Sequence, residues 1–245
     1  MQPGDIFPFH AGTAPIVLAF GVSVLGAYMA LRAFARSLNL EDGSQWGYLA
    51  VSAMTLGAVG IWSAYFLGMA IYPMPMEVGY GLAGAASALA IAFAFSAAAL
   101  WCLRKSRPGM GWHMLAGVLA GVAVSGGYFL GMGAMRMQAY VEWDTEGMAY
   151  MLLAAVVLAT AALSLARREG WRWRGGAAVL LGIAVCGQLY AGQTMGVAVF
   201  TTPRPEDGFQ LDPGVLAYLA MLLVGVTLVV ALAESRRDAA AVDGL

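Results

Sequence analysis

Long apolar stretches alternate along the chain with short polar connections. Seven of them, at about 14–34, 46–72, 80–103, 113–135, 148–166, 175–198 and 215–233, are close to the length that crosses a bilayer, for which a helix needs roughly 20 apolar residues. Their hydrophobicity is continuous, unlike the alternating strands of roughly 10 residues that build a membrane barrel. The pattern predicts an all-α fold: a seven-transmembrane-helix bundle forming a single integral membrane domain over residues 1–245.

Composition agrees with that reading. Hydrophobic residues make up 61% of the chain and charged residues 11%, where a water-soluble domain carries about 25% charged residues. The formal net charge of −1 leaves no basic field for a nucleic acid. Cys102 and Cys186 are the two cysteines, both inside apolar stretches, so neither a disulfide framework nor a CxxC metal site is present. The opening residues "MQPGDIFPFHAGTAP" hold no Lys or Arg and so lack the basic region of a cleavable signal peptide.

Charge distribution adds an orientation. Eleven of the thirteen Lys and Arg residues fall on one side of the spans, whereas Arg136 and Arg204 fall on the other. Basic residues are retained on the cytoplasmic side, which predicts an N-terminus outside and a cytoplasmic C-terminus. The outer side carries eight acids, and Glu142, Asp144 and Glu146 are candidate partners for Arg136. The middles of the spans are free of Asp, Glu, Lys and Arg. Coupled transporters keep ionisable groups at that depth, and a membrane hydrolase needs a general base or a metal there. Lys105 is the sole lysine and lies in a cytoplasmic connection, which excludes a retinal Schiff base on the seventh span. The chain reads as a non-enzyme that acts within its bundle or through a protein partner.

One pentapeptide is written twice. "YFLGM" occupies 65–69 and 128–132, in the outer thirds of the second and fourth spans. A weaker copy lies on the sixth span, where "GQLYAGQTMG" (187–196) aligns with "GGYFLGMGAM" (126–135) and matches Gly131 to Gly192. The spacing divides the chain into three helix-pair repeats plus a seventh helix. Three patches at one depth predict a pocket near the outer surface, lined by Tyr65, Tyr128, Tyr190, Gln188 and Gln193. Gly68, Gly131 and Gly192 are expected at close helix crossings. The tyrosines fit an interior face and an interfacial aromatic belt equally well.

Methionines gather at the same level: Met69, Met74 and Met76 at the outer end of the second span, Met132, Met135 and Met137 at the outer end of the fourth, and Met195 on the sixth. Thioethers are first of all adaptable packing groups, and they also suit Cu(I). His10 and His113 are a membrane thickness apart, so they cannot share a metal or clamp a haem.

Three helix pairs with a motif in the outer part of spans two, four and six resemble the bacterial MHYT sensor domain. The residues that carry the likeness are "GIWSAYFLGM" (60–69), "SGGYFLGM" (125–132) and "CGQLYAGQ" (186–193). The resemblance implies a multi-pass protein of the bacterial cytoplasmic membrane, and copper held by motif Met and His side chains. Here the motif His positions are Tyr65, Tyr128 and Leu189, and the surviving trailing methionines are Met69 and Met132. Two readings follow. One is a membrane sensor whose outer pocket takes Cu(I) or a small ligand and relays to a separate membrane or cytoplasmic partner. The other is a non-catalytic accessory subunit of a larger membrane complex that has lost the metal site.

Overall fold

The computed structural model describes residues 4–8, 12–40, 43–70, 76–106, 110–201 and 210–243. His10, Met74, Arg107, Arg204, Glu206 and Asp207 lie outside the described residues. Seven helices long and apolar enough to cross a membrane are present among them: α1 (Thr13–Leu38), α2 (Gln45–Ala70), α3 (Leu82–Lys105), α4 (Met110–Gly133), α5 (Thr145–Ala166), α6 (Trp171–Met195) and α7 (Pro213–Asp243). In a bilayer only such internally hydrogen-bonded elements leave no backbone group unpaired. The fold is an all-α seven-helix bundle.

The helix α2 is the hub. It packs against α1, α3, α4 and α7, and 83% of its apolar window is buried, against 11% for α7. Its middle, Thr55–Ser63, is a π-helix, and Ser63 Oγ donates to Ala58 O five residues back at 2.7 Å. Two glycines in this stretch let neighbours approach to backbone contact. A methyl group added at Gly57 would lie 2.7 Å from Phe93 Cα on α3, and one added at Gly26 on α1 would lie 2.7 Å from Gly60 Cα. Small residues at such crossings replace the hydrophobic driving force that lipid does not supply. Hydrogen bonds to carbonyls reinforce the seams: Ser52 Oγ to Ala30 O at 2.6 Å, and Trp62 Nε1 to Ala85 O at 2.9 Å.

Short strands cap one end of the bundle, the end at which α2, α4 and α6 finish. β1 (Ile6–Pro8), β5 (Gly196–Phe200) and β4 (Ala139–Trp143) form one antiparallel sheet in the order β1-β5-β4. β3 (Met135–Arg136), β2 (Gly79–Gly81) and β6 (Gln210–Leu211) form a second, in the order β3-β2-β6. Val199 pairs with both Ile6 and Tyr140, and Tyr80 pairs with both Met135 and Leu211. Residues that the hydropathy pattern placed inside spans are therefore strand: Tyr80 and Gly81 before α3, Met135 after α4, and Gly196 to Ala198 after α6.

Asp144 caps α5, its carboxylate accepting from Glu146 N at 3.3 Å and Gly147 N at 3.1 Å. That side chain is the expected N-cap type, and it serves the helix instead of Arg136, whose guanidinium lies over Gly81. At the opposite, basic end, His113 on α4 hydrogen-bonds Ser164 on α5 through Nε2 at 2.7 Å.

Two substitutions within α2 separate crossing from propensity. Gly57→Ala forces the α2–α3 backbones apart and is expected to lower unfolding stability by about 1–3 kcal/mol. Gly47→Ala meets nothing within 4 Å and is expected to be neutral or mildly stabilising, as read by thermal unfolding in detergent.

Candidate functional site

The motif positions of the three repeats meet at the bundle centre. Tyr65 on α2, Tyr128 on α4 and Leu189 on α6 are each 0% exposed. The rings of Tyr65 and Tyr128 stand edge to face with centroids 5.5 Å apart, a favourable arrangement of ring quadrupoles. Tyr65 Oη donates to Val124 O on α4 at 3.0 Å.

Each of these side chains is received by a glycine of another repeat. Leu189 fills the notch at Gly68, where an added methyl group would lie 2.7 Å from its Cδ2. Tyr128 fills the notch at Gly192, where the same addition would overlap its hydroxyl. At Gly131 the visitors are Phe66 and Met69, at 3.6 and 3.8 Å, while the Tyr65 ring lies 3.6 Å from an added methyl at Gly127. The direction is cyclic: α2 reaches into α4, α4 into α6 and α6 into α2. Gly68, Gly131 and Gly192 each lie three residues beyond their own motif position, on the neighbouring turn of the same face.

Polar groups sit among these contacts. Gln188 and Gln193 are 3% and 6% exposed, and Ser125 Oγ donates to Gln188 Oε1 at 3.2 Å. Tyr128 Oη, Gln188 Nε2 and Gln193 Oε1 are buried with no hydrogen-bond partner among the described residues. Unpaired buried groups of this kind cost free energy and call for a polar companion. Tyr128 also stacks edge-on against Trp143 of β4 at 6.0 Å, and Trp143 meets Phe129 at 5.6 Å. The capping sheet thus touches the motif core directly.

One predicted pocket residue is elsewhere. Tyr190 is 52% exposed, since one helical step past the buried Leu189 turns it about 100° away to the outer face. The interior position of the third repeat belongs to Leu189, and the belt alternative describes Tyr190. Gly68 and Gly192 were expected at close helix crossings, and the structure fills them with the side chains of Leu189 and Tyr128; the role of Trp143 had no signal beyond its place in an aromatic run.

Copper, which the motif resemblance implies, needs imidazole or sulfur donors. The three motif positions offer two phenols and an aliphatic chain, and one phenol is already committed to Val124 O. These residues do not fit a copper ion. Among the described residues no cluster of three His, Cys, Asp or Glu side chains is placed to hold a metal. Met69 and Met132 are both buried. Met69 lines a cleft of about 190 Å³ with Met76, Met135, Val78, Tyr80 and Pro213; its thioether companions there are Met76 and Met135, with Met132 not among the lining residues.

The two tyrosine hydroxyls are expected to behave differently. Tyr65→Phe removes the bond to Val124 O and should cost about 0.5–1.5 kcal/mol of unfolding stability. Tyr128→Phe removes a hydroxyl with no partner among the described residues and should be neutral or stabilising, as measured by thermal unfolding of the two variants side by side.

Comparison with known proteins places this arrangement. The MHYT family, described as a bacterial signalling protein N-terminal repeat, matches residues 59–118 and 121–179. Each matched repeat opens just before one copy of the pentapeptide. A bifunctional diguanylate cyclase/cyclic di-GMP phosphodiesterase, MucR of Pseudomonas aeruginosa, is 29% identical over 238 residues. The match covers 91% of this chain and 34% of that protein, so the chain spans about a third of the relative's length. No solved structure matches. The chain thus carries two repeats similar to those of the MHYT family of bacterial signalling proteins, with tyrosine at both motif histidine positions, 65 and 128.

Proposed function

We propose that the chain is a membrane sensor whose responsive element is the interlocked centre of α2, α4 and α6, and that it relays to an output unit acting on a cyclic dinucleotide. The observation that carries this reading is the cyclic fit of Tyr128 into Gly192 and Leu189 into Gly68. A packed core of this kind has discrete arrangements, because a bulky side chain either occupies its notch or leaves it. Displacing one side chain shifts the helix that carries the next. A small polar ligand among Tyr128, Gln188 and Gln193 would supply partners to groups that have none among the described residues, and so would bind one arrangement better than another.

In this reading the strand-capped end faces outward and the arginine-rich end faces the cytoplasm of a bacterial cell, following the basic-residue bias. The nature of the output rests on MucR of Pseudomonas aeruginosa, whose name assigns both synthesis and hydrolysis of cyclic di-GMP. A second input is favoured by the Met69, Met76 and Met135 cleft, since thioethers are soft donors of the kind that suit Cu(I).

The test is a chimera in which this chain replaces the region it matches in that relative, with cellular cyclic di-GMP as the readout. Gly192→Leu expels Tyr128 from its notch and is expected to change output about threefold or more, in either direction. Added copper should shift output only while Met69 and Met135 are present, and the Met69→Leu/Met135→Leu pair reads this directly. Output that ignores Gly192→Leu would overturn the sensor reading and favour an accessory, packing role.

A further inference from the structure

We propose that the basic end of the bundle holds a binding site for a phosphate group. A cleft of about 580 Å³ opens there between the last turns of α1 and α3 and the turn that joins α5 to α6. That size lies within the range of small-molecule sites, roughly 300–1,000 Å³. Its walls carry Arg104, Arg167, Arg168 and Arg174, with Glu169 as the one carboxylate among the lining residues. Four guanidiniums around one cavity repel each other unless an anion joins them.

Three of the four side chains are held in place by groups that leave their charge intact. Arg104 donates to Ser37 O at 2.7 Å and to Gln45 Oε1. Arg167 donates to Ser106 O at 2.8 Å. The Arg168 guanidinium lies over the Trp173 ring, 4.4 Å from its centroid. Arg174 Nε is buried with no hydrogen-bond partner among the described residues. Carbonyls, a carboxamide and an aromatic face orient Arg104, Arg167 and Arg168 without neutralising them, and Arg174 keeps a buried donor to spare, which preorganises a site whose main missing component is negative charge.

The start of α6 adds a second, independent pull in the same direction. Gly170 is its N-cap, also lines the cleft, and offers no side chain to the free backbone N–H groups of the first turn. That turn contains no acid and instead contains Arg172 and Arg174. Positive charge at the positive end of a helix dipole is unfavourable, and an anion seated there relieves both terms at once. A phosphate oxyanion matches the planar fork of arginine, whereas a metal cation or a neutral ligand would gain nothing from these walls.

The cleft lies where a spanning bundle meets the polar boundary of the bilayer. The phosphate can therefore come from an anionic phospholipid headgroup or from a free phosphate in solution. Two binding measurements on the purified full chain distinguish them. In one, the chain is exchanged into phosphatidylcholine micelles doped with phosphatidylglycerol, and retained phosphatidylglycerol is counted by native mass spectrometry. In the other, inorganic phosphate is titrated while tryptophan fluorescence reports on Trp173 beneath Arg168.

Saturable binding near one phosphate group per chain is expected in at least one measurement. Arg167→Gln and Arg174→Gln should each weaken it about tenfold, the loss of one charge-assisted contact. Arg172→Gln is the control, because Arg172 shares the turn and the charge but is exposed and stands over Trp171 outside the cleft. Arg174→Lys keeps the charge without the fork and should fall between wild type and Arg174→Gln, and unchanged helical circular dichroism shows that the variants fold. Retention of phosphatidylglycerol without a response to inorganic phosphate assigns a lipid headgroup, and the reverse assigns a soluble ligand. Absence of saturable binding in both measurements, or equal weakening by Arg172→Gln, would overturn the proposal.

Discussion

The bundle depends on one steric constraint: bulky side chains of one repeat must be seated in the glycine notches of another. In lipid, helices gain little by hiding apolar surface from each other, so association rests on close packing and on interhelical hydrogen bonds. Glycine three residues beyond each motif position provides the space: Leu189 and Tyr128 fill it at Gly68 and Gly192, and Phe66 and Met69 of α2 lie in contact with it at Gly131. Because the pattern is cyclic, none of the three helices can move without disturbing a neighbour. That property suits a sensor better than a rigid scaffold, since a local displacement has a defined path to the next helix.

Two further features bear on that motion. The π-helical stretch of α2 ends at Ser63, two residues before the motif position Tyr65. Such segments occur preferentially at functional sites and store a register that a helix can relax. At the strand-capped end, Trp143 ties the β1-β5-β4 sheet to Tyr128. A change in the capping sheet therefore reaches the core through Trp143 against Tyr128 and Phe129, and from Tyr128 reaches Gly192 on α6. The basic end is tied by Arg104 and Arg167 to the carbonyls of Ser37 and Ser106, which bridges the ends of α1, α3 and α5.

Much of this was written plainly in the chain. Seven helices follow from run length and hydropathy, because a bilayer accepts few alternatives. The spacing of "YFLGM" and the alignment of Gly131 with Gly192 pointed to α2, α4 and α6 as related helices, but the glycines were expected to admit backbone, and at Gly68 and Gly192 it is a side chain that enters. Other elements were not legible for physical reasons. The strands at Tyr80, Met135 and Gly196 to Ala198 are continuous in hydropathy with the helices they adjoin, so composition alone cannot mark the change of period. Tyr190 was chosen over Leu189 for its chemistry, although the helical phase set by Tyr65 and Tyr128 pointed to Leu189. The shared cleft of Met69, Met76 and Met135 depends on the β2–β3 pairing that brings two loops together, a long-range contact with no local signature.

The most direct measurement is a double-mutant cycle on Tyr128 and Gly192, read as unfolding free energy in detergent. Gly192→Ala alone is expected to cost about 1–3 kcal/mol, and most of that cost should vanish once Tyr128→Ala has emptied the notch. Additive losses, within about 0.5 kcal/mol, would mean that Tyr128 and Gly192 are not packed against each other, and the interlocked centre would have to be abandoned.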